Sequence, residues 1–302
     1  MRLQTVVSGL LLSSLTMGPA AYADEPGCDF FVNALIGTKC KDTISAGGST
    51  SVQKTTVERS TPFVNLRQDV TSNTATGQFS ITPLSWLTLG FNSSYGWSTN
   101  QVQAANNNGN TFASTTQNDG IGGQNFVANV TLLDTGAGAQ RYLINAYAGD
   151  TLTPANGNVP DANTVYGGVT GSARWRLGQS PFSLNGQVGA QLAHYSRFEE
   201  TAWFPSAKLL LSHDALGIAI GPTYSASLLL SGGYPTWTGQ SSRAGGEVVI
   251  QPFRNSDSAF LNGLIVTGAA NHSLGQANWI SPLNGDATSM TYSIAAAFHF
   301  RY

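Results

Sequence analysis

The last thirteen residues, "MTYSIAAAFHFRY", place Met290, Tyr292, Ile294, Ala296, Phe298, Phe300 and Tyr302 at every second position. A period of two puts all seven side chains on one face of an extended strand. Such a strand is about twice the usual globular length, and a small domain has no layer long enough to cover it. Lipid is the other medium in which an apolar face of this length can rest.

The same alternation recurs upstream, most clearly in "FSLNGQVGAQLAHYSRFE". Even positions 182 to 198 are Phe, Leu, Gly, Val, Ala, Leu, His, Ser and Phe, whereas odd positions 183 to 199 are mostly Ser, Asn, Gln, Gly and Arg. One apolar and one polar face is what a wall between lipid and water requires. The pattern predicts strands near 62–71, 75–82, 86–98, 123–134, 140–151, 163–177, 182–198, 203–213, 217–231, 242–253, 259–273 and 287–302. It thus predicts an all-β fold, a transmembrane antiparallel up-and-down β-barrel of about 12 strands over residues 62–302. Connection lengths alternate. "TPLS", "TGAGA", "GQSP", "HDALG" and "NSDS" are tight, and 99–122, 152–162, 232–241 and 274–286 are long and rich in Gly, Asn, Ser and Thr. Counting back from a periplasmic C-terminus puts the long loops outside. The connections at 72–74 and 199–202 depart from the rule, being short on the outer side.

Composition agrees with this reading. Of 302 residues, 34 are Gly and only 10% are charged, so Ser, Thr, Asn and Gln fill the polar positions. A formal charge of −2 points to no nucleic-acid partner. No later stretch reaches the roughly eighteen apolar residues that a spanning helix needs.

The first 23 residues read as an export signal: Arg2, then "TVVSGLLLSSLTM", then small residues before "AYA", with cleavage after Ala23. Export predicts that Cys28 and Cys40 form a disulfide. A straight helix between them would hold their Cα atoms about 18 Å apart, too far for a bridge, so "DFFVNALIGTK" must fold back on itself. Residues 24–61 are expected to be this disulfide-closed segment followed by a linker without regular structure.

The chain resembles bacterial outer-membrane β-barrel proteins, whose last strand ends on an aromatic residue with hydrophobic residues alternating before it. Phe298, Phe300 and Tyr302 match that assembly signal. The resemblance implies residence in the bacterial outer membrane among lipid and lipopolysaccharide, with the barrel-assembly machinery as a partner. It marks a class and not an activity. Trp97, Trp175, Trp203, Trp237 and Trp279 fall near strand ends or in loops, as interfacial girdles do. A secreted β-sandwich, the soluble rival, would have to bury nearly all the apolar faces in pairs.

With the apolar positions facing lipid, the opposite face carries Arg67, Arg174, Arg176, Arg197, Lys208, Arg243 and Arg301 against Asp69, Glu199 and Glu247. Seven cations against three carboxylates would make a water-filled lumen attract anions. The competing reading pairs these arginines with carboxylates or leaves them solvated at the periplasmic rim. The expected function is a porin-like channel for passive diffusion of small polar solutes, anions among them. The alternative is a structural or adhesive barrel acting through its outer loops, plugged if Phe30, Phe31, Val32, Leu35 and Ile36 find their burial inside. A third reading rests on His194 and Ser196, similar to the His-x-Ser of outer-membrane phospholipases and lipid A deacylases. Arg197 stands where those families carry Asn, and "AWFPSAKLLLS" supplies no group to orient the histidine, so no enzyme is expected. His194, His213, His272 and His299 are scattered, and no metal or cofactor site is expected.

Overall fold

In the computed structural model, which describes residues 29–37, 40–60, 64–106, 110–135, 140–153, 162–196, 199–231, 240–256, 258–274 and 286–301, the strands close on themselves. In chain order they are β1 (Thr43–Ser60), β2 (Val64–Leu84), β3 (Leu87–Asn106), β4 (Thr111–Asp134), β5 (Gln140–Thr153), β6 (Ala162–Arg176), β7 (Phe182–Tyr195), β8 (Glu200–His213), β9 (Ile218–Ser231), β10 (Gln240–Ile250), β11 (Leu264–Ser273) and β12 (Asp286–Arg301). Each pairs antiparallel with the next, and β12 pairs back onto β1 from Thr43↔Arg301 to Glu58↔Asp286. Closure gives every strand a partner on both sides over the height the strands share, the condition for placing strands in hydrocarbon.

The side chains partition inside out. On β7, Phe182, Val188 and Leu192 are exposed on the outer surface, whereas Ser183, Asn185 and Gln191 are buried within. The same division runs around the barrel, with Phe79, Leu89, Phe126, Ile144, Val169, Leu211, Ile220 and Ile294 outside and Ser80, Asn92, Asn125, Asn145, Ser172 and Ser212 inside. A soluble domain places these classes the other way round. Tyr142 and Trp175 meet edge to face at 6.3 Å near one end of the belt, and Tyr95 and Trp97 approach to 6.2 Å near the other. Among the described residues no helix is long and apolar enough to cross a membrane; the strands carry the apolar surface.

Two departures from the sequence reading offset each other in the count of twelve. Residues 62–71 and 75–82, expected as two strands, are one continuous strand, β2. That removes the anomalous short connection at 72–74. Residues 43–60, expected as linker, are β1, a full wall strand hydrogen-bonded on both sides. The barrel therefore begins at Thr43, not at residue 62. The outward row of β1 is Ile44, Ala46, Gly48, Thr50 and Val52, too small and too polar to carry a period-two signal. Strands β1–β4 run on together, β1 pairing with β2 as far as Ser60↔Asn65, and overrun β5: β4 pairs with β5 only from Gln124 onward, leaving Thr111–Gly123 of β4 to extend beyond it.

Where glycine and tyrosine face each other across β5 and β6, the wall depends on the missing Cβ. Tyr147 pairs with Gly168 and Gly149 with Tyr166, and each tyrosine ring lies over the glycine opposite. A Cβ on Gly149 would collide with the Tyr166 hydroxyl and the Phe126 carbonyl. Gly149→Val is expected to cost about 1–3 kcal/mol by overpacking, read as an earlier loss of the folded, fast-migrating species on heating before electrophoresis.

Inside the barrel, at the end where Thr43 and Arg301 meet and the tight β2–β3, β6–β7 and β8–β9 turns lie (the turn end), sits a short helix, α1 (Phe30–Ile36). Asp29 caps it, accepting the N–H groups of Phe31 at 3.0 Å and Val32 at 3.3 Å. Gly37 ends it at φ 74°, the left-handed conformation that suits glycine. Seven residues do not hold a helix in water by themselves. Phe30, Phe31, Leu35 and Ile36 are buried against Leu210, Ala219, Val249 and Ile265 of β8–β11, each worth about 1.5–3 kcal/mol on burial. The chain turns back after Gly37: Cys40 lies within 3.1 Å of the Asn33 side chain. Cys40 is disulfide-bonded; Cys28 and the export segment lie outside the described residues.

Candidate functional site: the barrel lumen

The lumen holds a cavity of about 580 Å³ reached by residues from every strand, with Gly37 at the end of α1 at its inner limit. Its lining is mostly hydroxyl and carboxamide: Ser49, Ser51, Thr74, Thr76 and Gln78 from β1 and β2, Asn125 and Asn145 from β4 and β5, and Thr267 and Ser293 from β11 and β12. Tyr147, Phe204 and Val127 add one apolar sector. Charged lining among the described residues is limited to Asp119, Lys208, Arg243 and Glu247, two of each sign.

Lys208 on β8 and Glu247 on β10 reach across β9 to a 3.1 Å ion pair, both side chains about nine-tenths buried. Their fields largely cancel at any distance beyond their separation. Arg243 sits four residues along the same inward row of β10 as Glu247 and lines the cavity.

The arginines nearest the turn end are bound into the wall. Arg174 donates to Asp214 at 2.5 Å and to the Asn185 carboxamide oxygen at 3.0 Å. Asp214 also accepts from Ser183 and Ser212. Arg141 pairs with Asp134 at 2.6 Å. Arg254, in the turn after β10, grips Asp29 with two nitrogens and lies 5.3 Å from the centre of the Phe31 ring, pinning the start of α1. Arg141, Asp134, Asp214, Asp29 and Arg254 were not among the sequence-derived candidates. Four of the five sit in turns or at strand ends, where period-two reading assigns no face.

Arg67 does not point into the lumen. It shares a face with the outward Phe79, since β2 keeps one register against β1 from Asn65 to Thr82, and it pairs with Glu58 at 3.1 Å and Asp69 at 2.9 Å. Val64 and Leu66, on the opposite face, lie near the far end of β2, where apolarity no longer marks lipid. Arg176 is exposed at the turn-end rim. Arg197 and Tyr302 lie outside the described residues.

The structure does not join His194 to Ser196. The Ser196 hydroxyl donates to the Asn163 carbonyl at 2.7 Å, and His194 has Thr201 at 3.2 Å and the Glu199 carboxylate at 3.9 Å. Phe298 and Phe300 are stacked under Phe260 of a four-residue helix, α2 (Ala259–Asn262), at 4.6 and 5.8 Å. That helix replaces the start of the strand expected at 259. Among the described residues no group of three or more His, Cys, Asp or Glu could hold a metal ion.

No protein-family model matches the chain, and no curated sequence matches it. Solved structures similar to it are membrane barrels. One is an outer membrane channel from Pseudomonas putida F1, at 11% identity over 86% of this chain and 96% of that one, with a TM-score of 0.47. Another is the translocator domain of the autotransporter NalP from Neisseria meningitidis, at 10% identity over 85% and 88%, with a TM-score of 0.44. A third is the toluene transporter TodX from P. putida, at 9% identity over 89% and 94%, with a TM-score of 0.40. At these TM-scores the likenesses carry no argument about this chain; its closed antiparallel barrel rests on its own strand ladders.

Proposed function

We propose that the protein is an outer-membrane channel for passive diffusion of small polar solutes. The observation that carries this reading is a hydroxyl- and amide-lined cavity inside a barrel whose outer surface is apolar. Water and polar solutes occupy such a lumen, and lipid covers the outside. The turn end faces the periplasm, and α1 occupies part of that mouth. The anionic preference expected from seven cations weakens, because Lys208 and Arg174 have carboxylate partners and Arg67 faces away from the lumen.

Proteoliposome swelling tests this reading. Uncharged solutes of graded size are expected to enter at rates that fall with size. Equal, slow entry of all of them, matching protein-free vesicles, would contradict it.

One observation favours a second reading. Strands β2–β4 extend well beyond β5 at the end away from the turns, and residues 111–119 of β4 are exposed on both faces. A projecting sheet of this kind suits a structural or adhesive barrel. In that case α1 is a permanent stopper and swelling is absent.

A further inference from the structure

We infer that the lumenal wall formed by β5–β8 is a binding platform for neutral saccharides. Tyr147 and Tyr166 lie along this wall instead of projecting from it. The Tyr147 hydroxyl reaches over Gly168 and donates to the Gln191 carboxamide oxygen at 3.3 Å. The Tyr166 hydroxyl turns the opposite way, over Gly149, and donates to the Asn125 oxygen at 2.6 Å. The two rings stand 6.4 Å apart at 56°, and Phe204 packs beside them. Of the three, Tyr147 and Phe204 line the cavity. Tyr147, held along the wall by its own hydroxyl, turns its ring to whatever fills the lumen, and the buried Tyr166 backs it.

The chemistry around the rings selects the ligand class. The Tyr166 hydroxyl uses the oxygen of Asn125, whose amide lines the cavity and has its nitrogen as a donor. The facing wall, from β11 through β12 to β1, is lined by Thr267, Ser293 and Ser49. An aromatic hydrocarbon would cover the rings but leave these hydroxyls and amides without partners, at a cost for each group desolvated. A small ion would gain little at this wall, because the nearest lysine is already paired with Glu247. A saccharide presents both surfaces at once, a face of C–H groups for the rings and a circumference of hydroxyls for the amides and hydroxyls. A cavity of about 580 Å³ is in the range of small-molecule sites. This inference deepens the channel reading and rests on it for the solute's route into the lumen.

Isothermal titration calorimetry on the full-length barrel, folded in a polyoxyethylene detergent without sugar headgroups, tests it with maltotriose and cellotriose. Polyethylene glycol of matching hydrodynamic size serves as the control. At least one trisaccharide is expected to bind saturably, and the glycol is not. Phe204→Ala and Tyr147→Ala are each expected to weaken binding about tenfold, whereas Tyr147→Phe, which keeps the ring, retains it. Should Tyr147→Ala fail to fold, Phe204→Ala carries the test alone. Heats equal to those of the glycol for both sugars, or affinity unchanged in Phe204→Ala, would overturn the platform. The two readings fail separately: saccharide binding without conductance removes the channel and keeps the platform, and conductance without binding does the reverse.

Discussion

A chain lacking residues 24–61 is expected to lose the barrel, whereas one lacking only residues 24–41 is expected to keep it. The longer deletion removes β1, whose backbone is paired to β12 on one side and β2 on the other from Thr43 to Glu58. Eleven remaining strands would present two open edges, and unpaired backbone groups in hydrocarbon cost several kcal/mol each. The shorter deletion removes α1, its cap Asp29 and Cys40, none of which belongs to a wall strand. Resistance of the folded species to heat and protease separates the two. A folded barrel from the longer deletion would show that β1 is dispensable to closure.

Arg174→Glu is expected to destabilise the barrel more than any other single change in the lumen. The Arg174 and Asp214 side chains are only 7% and 13% exposed. Replacing the cation by a carboxylate leaves Asp214 facing a like charge and takes a donor from Asn185. Loss of one partner of a buried pair costs about 3–5 kcal/mol, with the lower end apt for a lumen that water reaches. Arg176→Glu, at the exposed rim, is expected to fold normally. The midpoint of heat-induced loss of the folded band checks both. An Arg174→Glu barrel of unchanged stability, with its reversal potential moved toward cations, would mean that Arg174 serves the pore and not the wall.

Strands whose outward row crosses lipid were legible in the sequence. Phe298 and Ile294 on β12, or Phe182, Val188 and Leu192 on β7, state their face by size alone. β1 is illegible because Ala46, Gly48 and Thr50 interrupt its outward row between Ile44 and Val52, and a strand flanked by partners on both sides needs little from its own side chains. β2 was split because Ser72, Asn73 and Thr74 resemble a turn, although they lie within a continuous strand. Parity assigns Lys208, Arg174 and Glu247 to one face, and Lys208 and Glu247 line the cavity. It could not show which charges would meet, since Lys208 and Glu247 come from strands separated by β9, and Asp214 comes from a turn. The burial of Phe30, Phe31, Leu35 and Ile36 was a demand the sequence made plainly, but its place against Leu210 and Val249 depends on closure of the barrel.

Single-channel recording of the intact protein and of the 24–41 deletion, in planar bilayers under a salt gradient, tests the central claim most directly. An aqueous lumen narrowed by α1 predicts small conductance steps for the intact barrel and larger, steadier ones for the deletion, with only weak ion selectivity in both. Silence from a deletion barrel shown to be folded would contradict a transmembrane lumen, and equal steps from the two proteins would contradict the placement of α1 in the conducting path.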